Sequence, residues 1–416
     1  MSAVVSIVRR TMSPYALCGA LTLVGAADAR AQERLLGDHS IGAAALFESI
    51  SFGGAGLLQS NFAGLDTSRI TRVQQFGLPV TAASPLGGGW RVDVTTLFAH
   101  GTVTYTDAKA SGGTRTAALN GLSDLRLRAS GRLLNDAVVM TIGVNAPTGR
   151  TALTTTQFST LRILAAPGLG LGSSPVGAGP SGTVGVVYGA QAGPWGLAMG
   201  GSYEFRGSYQ PVAALSAGAP SADFRPGGVI RASLGADRVI GPHRLSLAFA
   251  ADVFSDDKLR NGASTTLPSA TVRLGPVLSS DAQLQIAAPR FRDFIVYSAY
   301  RWRAPFARDG QTVTGSSGHY LEAGVRAALP ISRNSDMVFA TDGRLHSGLG
   351  VDQGLPTAGV KSGSATLGLN ARLGLLSVQP YVRAQAGSLT QRAALLSTGA
   401  QSFAGVSSGL VVMTKF

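Results

Sequence analysis

The sequence predicts an all-β protein, a closed antiparallel transmembrane β-barrel of about 14 strands, with roughly 12 to 16 allowed. Three observations predict it: an N-terminal export signal, long segments that alternate between apolar and polar side chains, and connections that alternate between short and long. In hydrocarbon every backbone amide and carbonyl must be paired within the protein, so strands span a bilayer only in a closed sheet. We expect short periplasmic turns and long extracellular loops.

The first 31 residues have the three parts of a secretory signal peptide. Two arginines precede an apolar stretch from Tyr15 to Ala27, and Ala29-Arg30-Ala31 is an A-x-A cleavage site. The apolar stretch is about 13 residues long, whereas a spanning helix needs about 20, so cleavage is favoured over a retained anchor. The expected domains are the signal peptide at 1–31 and the outer-membrane β-barrel at 32–416.

Composition excludes several classes of protein. Cys18 is the only cysteine and lies inside the signal, so the exported chain cannot be a disulfide scaffold, a thiolate metal site or a cysteine enzyme. The charge of +13 can indicate nucleic-acid binding. Here the arginines are scattered along the strands without a basic run, and the chain is exported, so nucleic acid is not an expected partner.

The clearest alternating segment runs from Leu122 to Leu133, and its partner runs from Ala137 to Ala146. In both segments one face is apolar or small, while the other carries charged, hydroxyl or amide side chains. Only three residues separate the two segments, which predicts a hairpin. The same unit recurs at 184–206 and 230–253, and later segments at 321–329 and 367–373 continue the alternation.

The connections alternate in length. Short turns are predicted near Gly87 to Gly89, Asn135, Pro194, Pro242, Ser280, Asn334 and Ser377. Long links are predicted at 54–68, 107–119, 148–180, 208–226, 256–266, 306–317, 348–361 and 391–402. With both termini periplasmic the strand number is even. Two regions make it uncertain: 265–305 contains three prolines, which cannot donate to a central ladder, and 41–53 is either the first strand or a plug.

A secreted β-sandwich also alternates, and segment length distinguishes it from a barrel. Strands of 11 to 16 residues are longer than the ~5 to 6 usual in soluble sheets and suit the ~9 to 11 needed to cross a bilayer. Aromatic residues near segment ends fit interfacial girdles. These residues are Trp90, Tyr105, Trp195, Phe205, Tyr300 and Trp302.

The charged residues of the strands are expected to line the lumen, since an arginine facing lipid near the midplane costs ~2 to 4 kcal/mol. The candidate arginines are Arg126, Arg128, Arg231, Arg244, Arg326, Arg372 and Arg383. The candidate acids are Asp124, Glu204, Asp252 and Glu322, with Asp93, Asp237, Asp293 and Asp342 on the same face. Cross-strand pairing would neutralise most of them. The excess of arginine predicts a positive lumen that favours anionic or polar-headed solutes.

No enzyme signature stands out. The five histidines show no metal-ligand spacing, so neither a metal nor a cofactor is predicted. His346 lies next to Ser347 and near Asp342, but neighbours on a strand point to opposite faces, so a hydrolytic trio would not converge.

The link at 148–180 is too apolar for a simple solvated loop, and links of this length are uncommon unless functional or disordered. Its apolar residues include Phe158, Leu161, Ile163, Leu164 and Leu169. One hypothesis is that it folds over or into the barrel mouth and forms part of an apolar substrate site. The alternative is an unstructured surface loop.

The last strand alternates up to a terminal aromatic. Leu410, Val412 and Phe416 share one side, and this ending resembles the C-terminal assembly signal of bacterial outer-membrane proteins. The expected partners are outer-membrane lipid and the outer-membrane protein assembly machinery.

Two short motifs carry a family resemblance: Gly121-Leu122-Ser123-Asp124 opens a strand, and Pro147-Thr148-Gly149 ends its partner. They resemble the outer-membrane family tied to the meta-pathway of phenol degradation, related to the FadL-like transporters of hydrophobic compounds. The resemblance implies a monomeric barrel that passes hydrophobic or aromatic compounds. The Asn-Pro-Ala plug motif of fatty-acid transporters has no clear counterpart here.

The function expected from these observations is an outer-membrane channel for passive uptake of small hydrophobic or aromatic molecules, without bond chemistry. One alternative is a general diffusion porin with a basic lumen. Another is a structural or adhesive surface barrel without transport.

Overall fold

The computed structural model describes residues 39–54, 56–63, 65–107, 113–134, 136–166, 169–171, 176–210, 222–261, 270–347, 357–391 and 400–415. The predicted signal peptide and the terminal Phe416 lie outside the described residues.

The described residues form 23 strands and one α-helix. The strands are β1 (Ser40–Phe52), β2 (Leu57–Phe62), β3 (Leu65–Gly87), β4 (Trp90–Asp107), β5 (Arg115–Leu122), β6 (Leu125–Leu133), β7 (Val138–Ala146), β8 (Ser181–Ala192), β9 (Trp195–Arg206), β10 (Ala222–Arg225), β11 (Val229–Ile240), β12 (His243–Phe254), β13 (Asp257–Asn261), β14 (Ala270–Arg273), β15 (Val277–Gln285), β16 (Asp293–Arg303), β17 (Ala307–Arg308), β18 (Gln311–Thr312), β19 (Gly318–Ser332), β20 (Ser335–Ser347), β21 (Thr357–Leu373), β22 (Leu376–Gln391) and β23 (Ala400–Lys415). The helix is α1 (Thr155–Leu164). Within the described part of the chain, no helix is long and apolar enough to cross a membrane.

A closed antiparallel barrel of 16 strands forms the body of the molecule. Each barrel strand pairs with the next along the chain, β2 extends the pairing of β3, and β5 extends that of β4. Closure is made by β1, which pairs with β3 on one side and β23 on the other, with Ser40 opposite Lys415. The predicted barrel is confirmed, at the upper end of its expected strand range, and residues 41–53 are a strand rather than a plug.

Period-two alternation separates the two faces of the wall. On β11 and β12 the outward Ile230, Leu234 and Phe249 are 59%, 57% and 52% exposed. Arg231 and Asp252 point the other way and bind each other across the lumen face, with Nε and Oδ1 2.5 Å apart. The exterior is therefore apolar around the barrel and the interior is charged.

The short turns connect strands at one rim, the one that also holds Ser40 and Lys415. Most lie where the sequence predicts, as at Gly193-Pro194 and Gly241-Pro242. The turn predicted near Ser280 is wrong, because Ser280 lies inside β15 and the chain turns at 286–292. The composition of the Ser-Ser-Asp run is typical of a turn. In the structure the run is part of the strand, and its residues alternate between the lumen face and the outer face.

At the opposite rim, parts of three long links form a second sheet of five strands, β10, β13, β14, β17 and β18. Tyr209 packs edge-on against Phe224, with ring centroids 5.6 Å apart. The backbone N–H of Gly227 donates to Asp257 Oδ1 at 2.5 Å. Burial raises the pKa of the Asp257 carboxyl above its usual range, and the hydrogen bond from Gly227 opposes that shift.

Candidate functional site

All seven predicted lumen arginines lie on the inner face of the barrel wall, and several bind acids there. Arg244 lies 2.8 Å from Asp237, and Arg128 lies 3.4 Å from Asp93. The longer Arg326–Asp293 pair has an N···O distance of 3.9 Å. The other members of the set are Arg231 and Arg383, which are also paired with acids, Arg126, which lies opposite Thr95 of β4, and Arg372, which lies beside the turn between β21 and β22.

The four predicted lumen acids have different roles. Asp252 accepts from Arg231, and Glu204 accepts from Arg206 at 2.9 Å. Glu322 is 6% exposed, accepts a hydrogen bond from the Tyr320 hydroxyl, and lies 3.3 Å from Arg344 Nε. Asp124 is the exception, because two of its three hydrogen-bond donors belong to the link predicted at 148–180, which runs from 147 to 180 between β7 and β8, and the third is Asn145 of β7.

Asp124 is the centre of a clasp that holds both ends of this link, and it is 3% exposed. Its Oδ1 accepts from the backbone of Gly149 at 3.0 Å, and its Oδ2 accepts from Ala178 N at 2.7 Å and Asn145 Nδ2 at 3.1 Å. A Cβ at Gly177 would lie 2.3 Å from Oδ1, so this close approach needs glycine. The expectation that Asp124 simply lines the lumen is therefore corrected.

The two motifs that carry the family resemblance meet at this clasp. Asp124 closes the first motif, and Gly149 closes the second. Thr148 Oγ1 also accepts from Leu125 N at 2.9 Å and lies 3.4 Å from the Ser123 carbonyl. Residues that the sequence separates by a complete hairpin thus form one hydrogen-bonded unit at the start of the link.

Helix α1 lies within this link and begins with a capping box. The Thr154 side chain accepts from Gln157 N at 3.2 Å, while the Gln157 side chain accepts from Thr154 N at 3.1 Å. These bonds satisfy backbone donors that the first turn leaves unpaired. The local sequence thus specifies the point at which the helix starts.

The apolar face of α1 packs against the inner wall of the barrel. Ile163 and Leu164 are fully buried, and Leu164 lies so close to Gly101 of β4 that an added Cβ would meet its Cδ1 at 2.3 Å. Leu169 is 2% exposed and belongs to the same cluster, with Phe158 and Leu161 packed against it. Lumen-facing residues of distant strands complete the cluster, among them Ile50, Val103, Val360, Leu389 and Phe403.

These contacts bear on the two alternatives for the link. The segment is folded inside the barrel, so it is not an unstructured surface loop. Its apolar side chains, however, are used in packing, while the exposed side of α1 carries Thr155, Thr156 and Arg162.

Tyr105 belongs to the same apolar cluster, and its ring centroid lies 5.0 Å from that of Phe62, so its assignment to an interfacial girdle was wrong.

A polar wall formed by β16 and β19–β22 lines another part of the lumen. Arg383 Nη2 lies 3.0 Å from both oxygens of Asp342, and its Nε donates to Ser364 Oγ at 2.9 Å. Arg344 is not among the predicted lumen residues, although it lies two residues from Asp342 on the same face and is 9% exposed. The alternation that identified Asp342 could have identified it.

The remaining expectations concern chemistry and assembly. His346 and Ser347 lie on opposite faces of β20, as expected. Within the described ranges, no cluster of three or more His, Cys, Asp or Glu side chains could hold a metal ion. Leu410 and Val412 lie on the outer face of β23, where Leu410 is 43% exposed.

The closed sheet, the apolar exterior and the charged lumen together decide the environment of the protein. A belt of exposed leucine, isoleucine, valine and phenylalanine around a sheet without edges suits hydrocarbon. The chain is an integral outer-membrane β-barrel. Its short-turn rim carries both described chain ends and is the periplasmic side.

Several solved outer-membrane proteins are similar to this barrel. A TodX mutant described as a monoaromatic hydrocarbon channel shares 9% identity, with 91% of each chain covered and a TM-score of 0.45. OprB from Pseudomonas putida shares 11% identity, covering 94% of this chain and 97% of its own, with a TM-score of 0.43. An outer membrane channel from Pseudomonas putida F1 shares 11%, with coverages of 91% and 96% and a TM-score of 0.33.

No protein-family model matches the chain, and no curated protein sequence matches it.

Proposed function

We propose that this barrel is an outer-membrane channel for passive uptake of small hydrophobic or aromatic molecules, with no bond made or broken. The observation that carries the proposal is the folded segment inside the lumen. Because α1 packs against the inner wall, it narrows the lumen, and a narrowed passage can discriminate among solutes by size and polarity.

The contacts of α1 support the selective character of the passage. The segment is fixed at both ends by Asp124 and along its length by the apolar cluster around Leu164, so it would narrow the lumen permanently. Small solutes would pass between the exposed side of α1 and the polar wall. The resemblance of the motifs at 121–124 and 147–149 to the phenol meta-pathway family supports hydrophobic or aromatic solutes.

A general diffusion porin with a basic lumen is the second candidate. Arginine–acid pairs such as Arg231–Asp252 line the lumen, and the apolar residues of the link are buried in packing. Both features favour polar solutes.

We also propose that the outer-membrane assembly machinery recognises β23. The outward position of Leu410 and Val412 supports this, and Leu410 is 43% exposed.

Reconstitution into liposomes tests the transport proposals. Saturable uptake of benzyl alcohol or toluene without leakage of sugars would support the selective channel. Swelling in sugars at rates that follow solute size would support the porin and overturn the selective channel. If neither solute crossed, both transport proposals would be abandoned in favour of a structural barrel.

A further inference from the structure

One buried arginine on the polar wall has hydrogen-bonding capacity that the protein does not use. Arg344 is 9% exposed, and its Nε and Nη2 atoms are buried without a hydrogen-bond partner. Its Nε lies 3.3 Å from Glu322 and 3.4 Å from Asp342, which compensates the charge without hydrogen-bond geometry. Unused donors of a buried guanidinium are costly, so their retention calls for a reason.

The two neighbouring acids are already bound by other donors. Glu322 accepts from the Tyr320 hydroxyl. Asp342 accepts from Arg383 at 3.0 Å and from Ser364 Oγ at 2.6 Å. These bonds hold both carboxylates in place, and Arg344 Nη2 is left without an acceptor.

Other groups on the same wall favour an anion at this position. His346 lies on the same face of β20, and its Nδ1 is buried without a hydrogen-bond partner. Arg301 and Arg303 lie on the lumen face of β16, and Arg301 is opposite Tyr320 in the sheet register. Arg301 and Arg303 add two positive charges to the neutral Arg344–Glu322–Asp342–Arg383 group, and the neighbouring Asp281 of β15 offsets one of them, so a net positive charge remains on this part of the wall.

The inserted segment approaches the arginine from the other side. Gly170 follows α1 in a left-handed conformation with φ 67°, and a Cβ there would lie 2.7 Å from Arg344 Nη1. Its neighbour Leu171 is partly buried against the apolar cluster. A charged donor and an apolar surface are thus adjacent at the place where the segment meets the wall.

The geometry points to an anion subsite in which Arg344 binds the carboxylate of a small organic anion while Leu171 contacts its apolar body. A planar guanidinium matches a carboxylate with two parallel hydrogen bonds. Because Nε already faces Glu322 and Asp342, the two-donor edge offered to a ligand is the one formed by Nη1 and Nη2. This inference rests on the proposed channel and names its substrate class, an amphipathic carboxylate instead of a neutral hydrocarbon.

Calorimetric binding to the detergent-purified barrel tests the subsite with two probes of similar size, benzoate and benzyl alcohol. We expect wild-type protein to bind benzoate more tightly. Arg344→Met keeps the length of the side chain and removes the donors, so benzoate affinity should fall about tenfold or more, because a hydrogen bond to a charged group contributes ~1.5 to 3 kcal/mol. Arg344→Lys should restore part of it.

The control is Arg238→Gln, which removes an arginine charge from the outer face, where Arg238 lies 5.3 Å from the Trp195 ring. It should leave benzoate binding unchanged. Equal affinity of the wild-type protein for both probes would overturn the subsite, and this comparison needs no variant. So would unchanged benzoate binding by an Arg344→Met protein with native heat-modifiable migration. Absence of flux in liposomes would instead overturn the channel.

Discussion

The clasp at Asp124 should determine whether the inserted segment stays in the lumen. Asp124→Ala removes the acceptor of three donors, two of which are backbone N–H groups at the ends of the segment. Each buried donor left without a partner costs ~1 to 3 kcal/mol, so the total loss is roughly 3 to 9 kcal/mol. Full burial of Ile163, Leu164 and Leu169 contributes ~1.5 to 3 kcal/mol each.

The cost of the unpaired donors and the burial energy of the three apolar side chains are of similar size. The segment of the Asp124→Ala variant should therefore exchange between inserted and released states without unfolding of the barrel. The sheet itself does not use the Asp124 carboxylate. We therefore expect native heat-modifiable migration, faster protease cleavage within 149–178, and larger, noisier single-channel conductance than wild type. The conductance increase distinguishes release of the segment from loss of the whole fold, which would abolish the channel.

Asp136→Asn is the matched control, since it removes one acid from the other end of the same hairpin. It should show wild-type cleavage and conductance. If Asp124→Ala also matched wild type in both assays, the clasp would not hold the segment and the reasoning would be refuted.

Three further outcomes follow from the packing and the charges. Gly101→Leu would place a side chain against Leu164, and overpacking should cost ~1 to 3 kcal/mol and expose α1 to protease; unchanged cleavage would contradict the packing. Arg383→Met should lower the midpoint of heat-modifiable migration by an amount equivalent to ~3 to 5 kcal/mol, because Asp342 would stay buried without its main counter-ion; an unchanged midpoint would refute this. Burial raises the pKa of Asp257, so the native state of the protein loses stability as the pH rises through that pKa. Asp257→Asn should therefore be more stable than wild type at neutral pH and lose this advantage below about pH 4. Parallel pH profiles of the two proteins would count against it.

The parts of the fold that the sequence predicted depend on local chemistry. Alternation along 122–146 assigns each side chain to lumen or lipid, because successive residues of a strand point to opposite faces. Gly-Pro pairs such as Gly193-Pro194 mark tight turns. The predicted arginine positions follow from the same alternation.

The errors arose where a local pattern has two meanings. Ser279, Ser280 and Asp281 suggest a turn by composition, yet the strand passes through them, with Ser279 and Asp281 on the lumen face and Ser280 on the outer face. Tyr105 lies near a strand end, as a girdle residue would, but its place in the alternation turns it inward onto Phe62.

The two-residue alternation of each strand and the residue types of its turns are local properties of the sequence. These properties determined a closed barrel with an apolar exterior and a charged interior. Only the tertiary structure decided that the link at 147–180 folds inward, that Asp124 holds its two ends, and that Arg344 keeps unused donors. Those features depend on contacts between residues far apart in the chain, such as Gly101 with Leu164 and Gly170 with Arg344. No local pattern encodes such meetings, because they exist only after the sheet has closed.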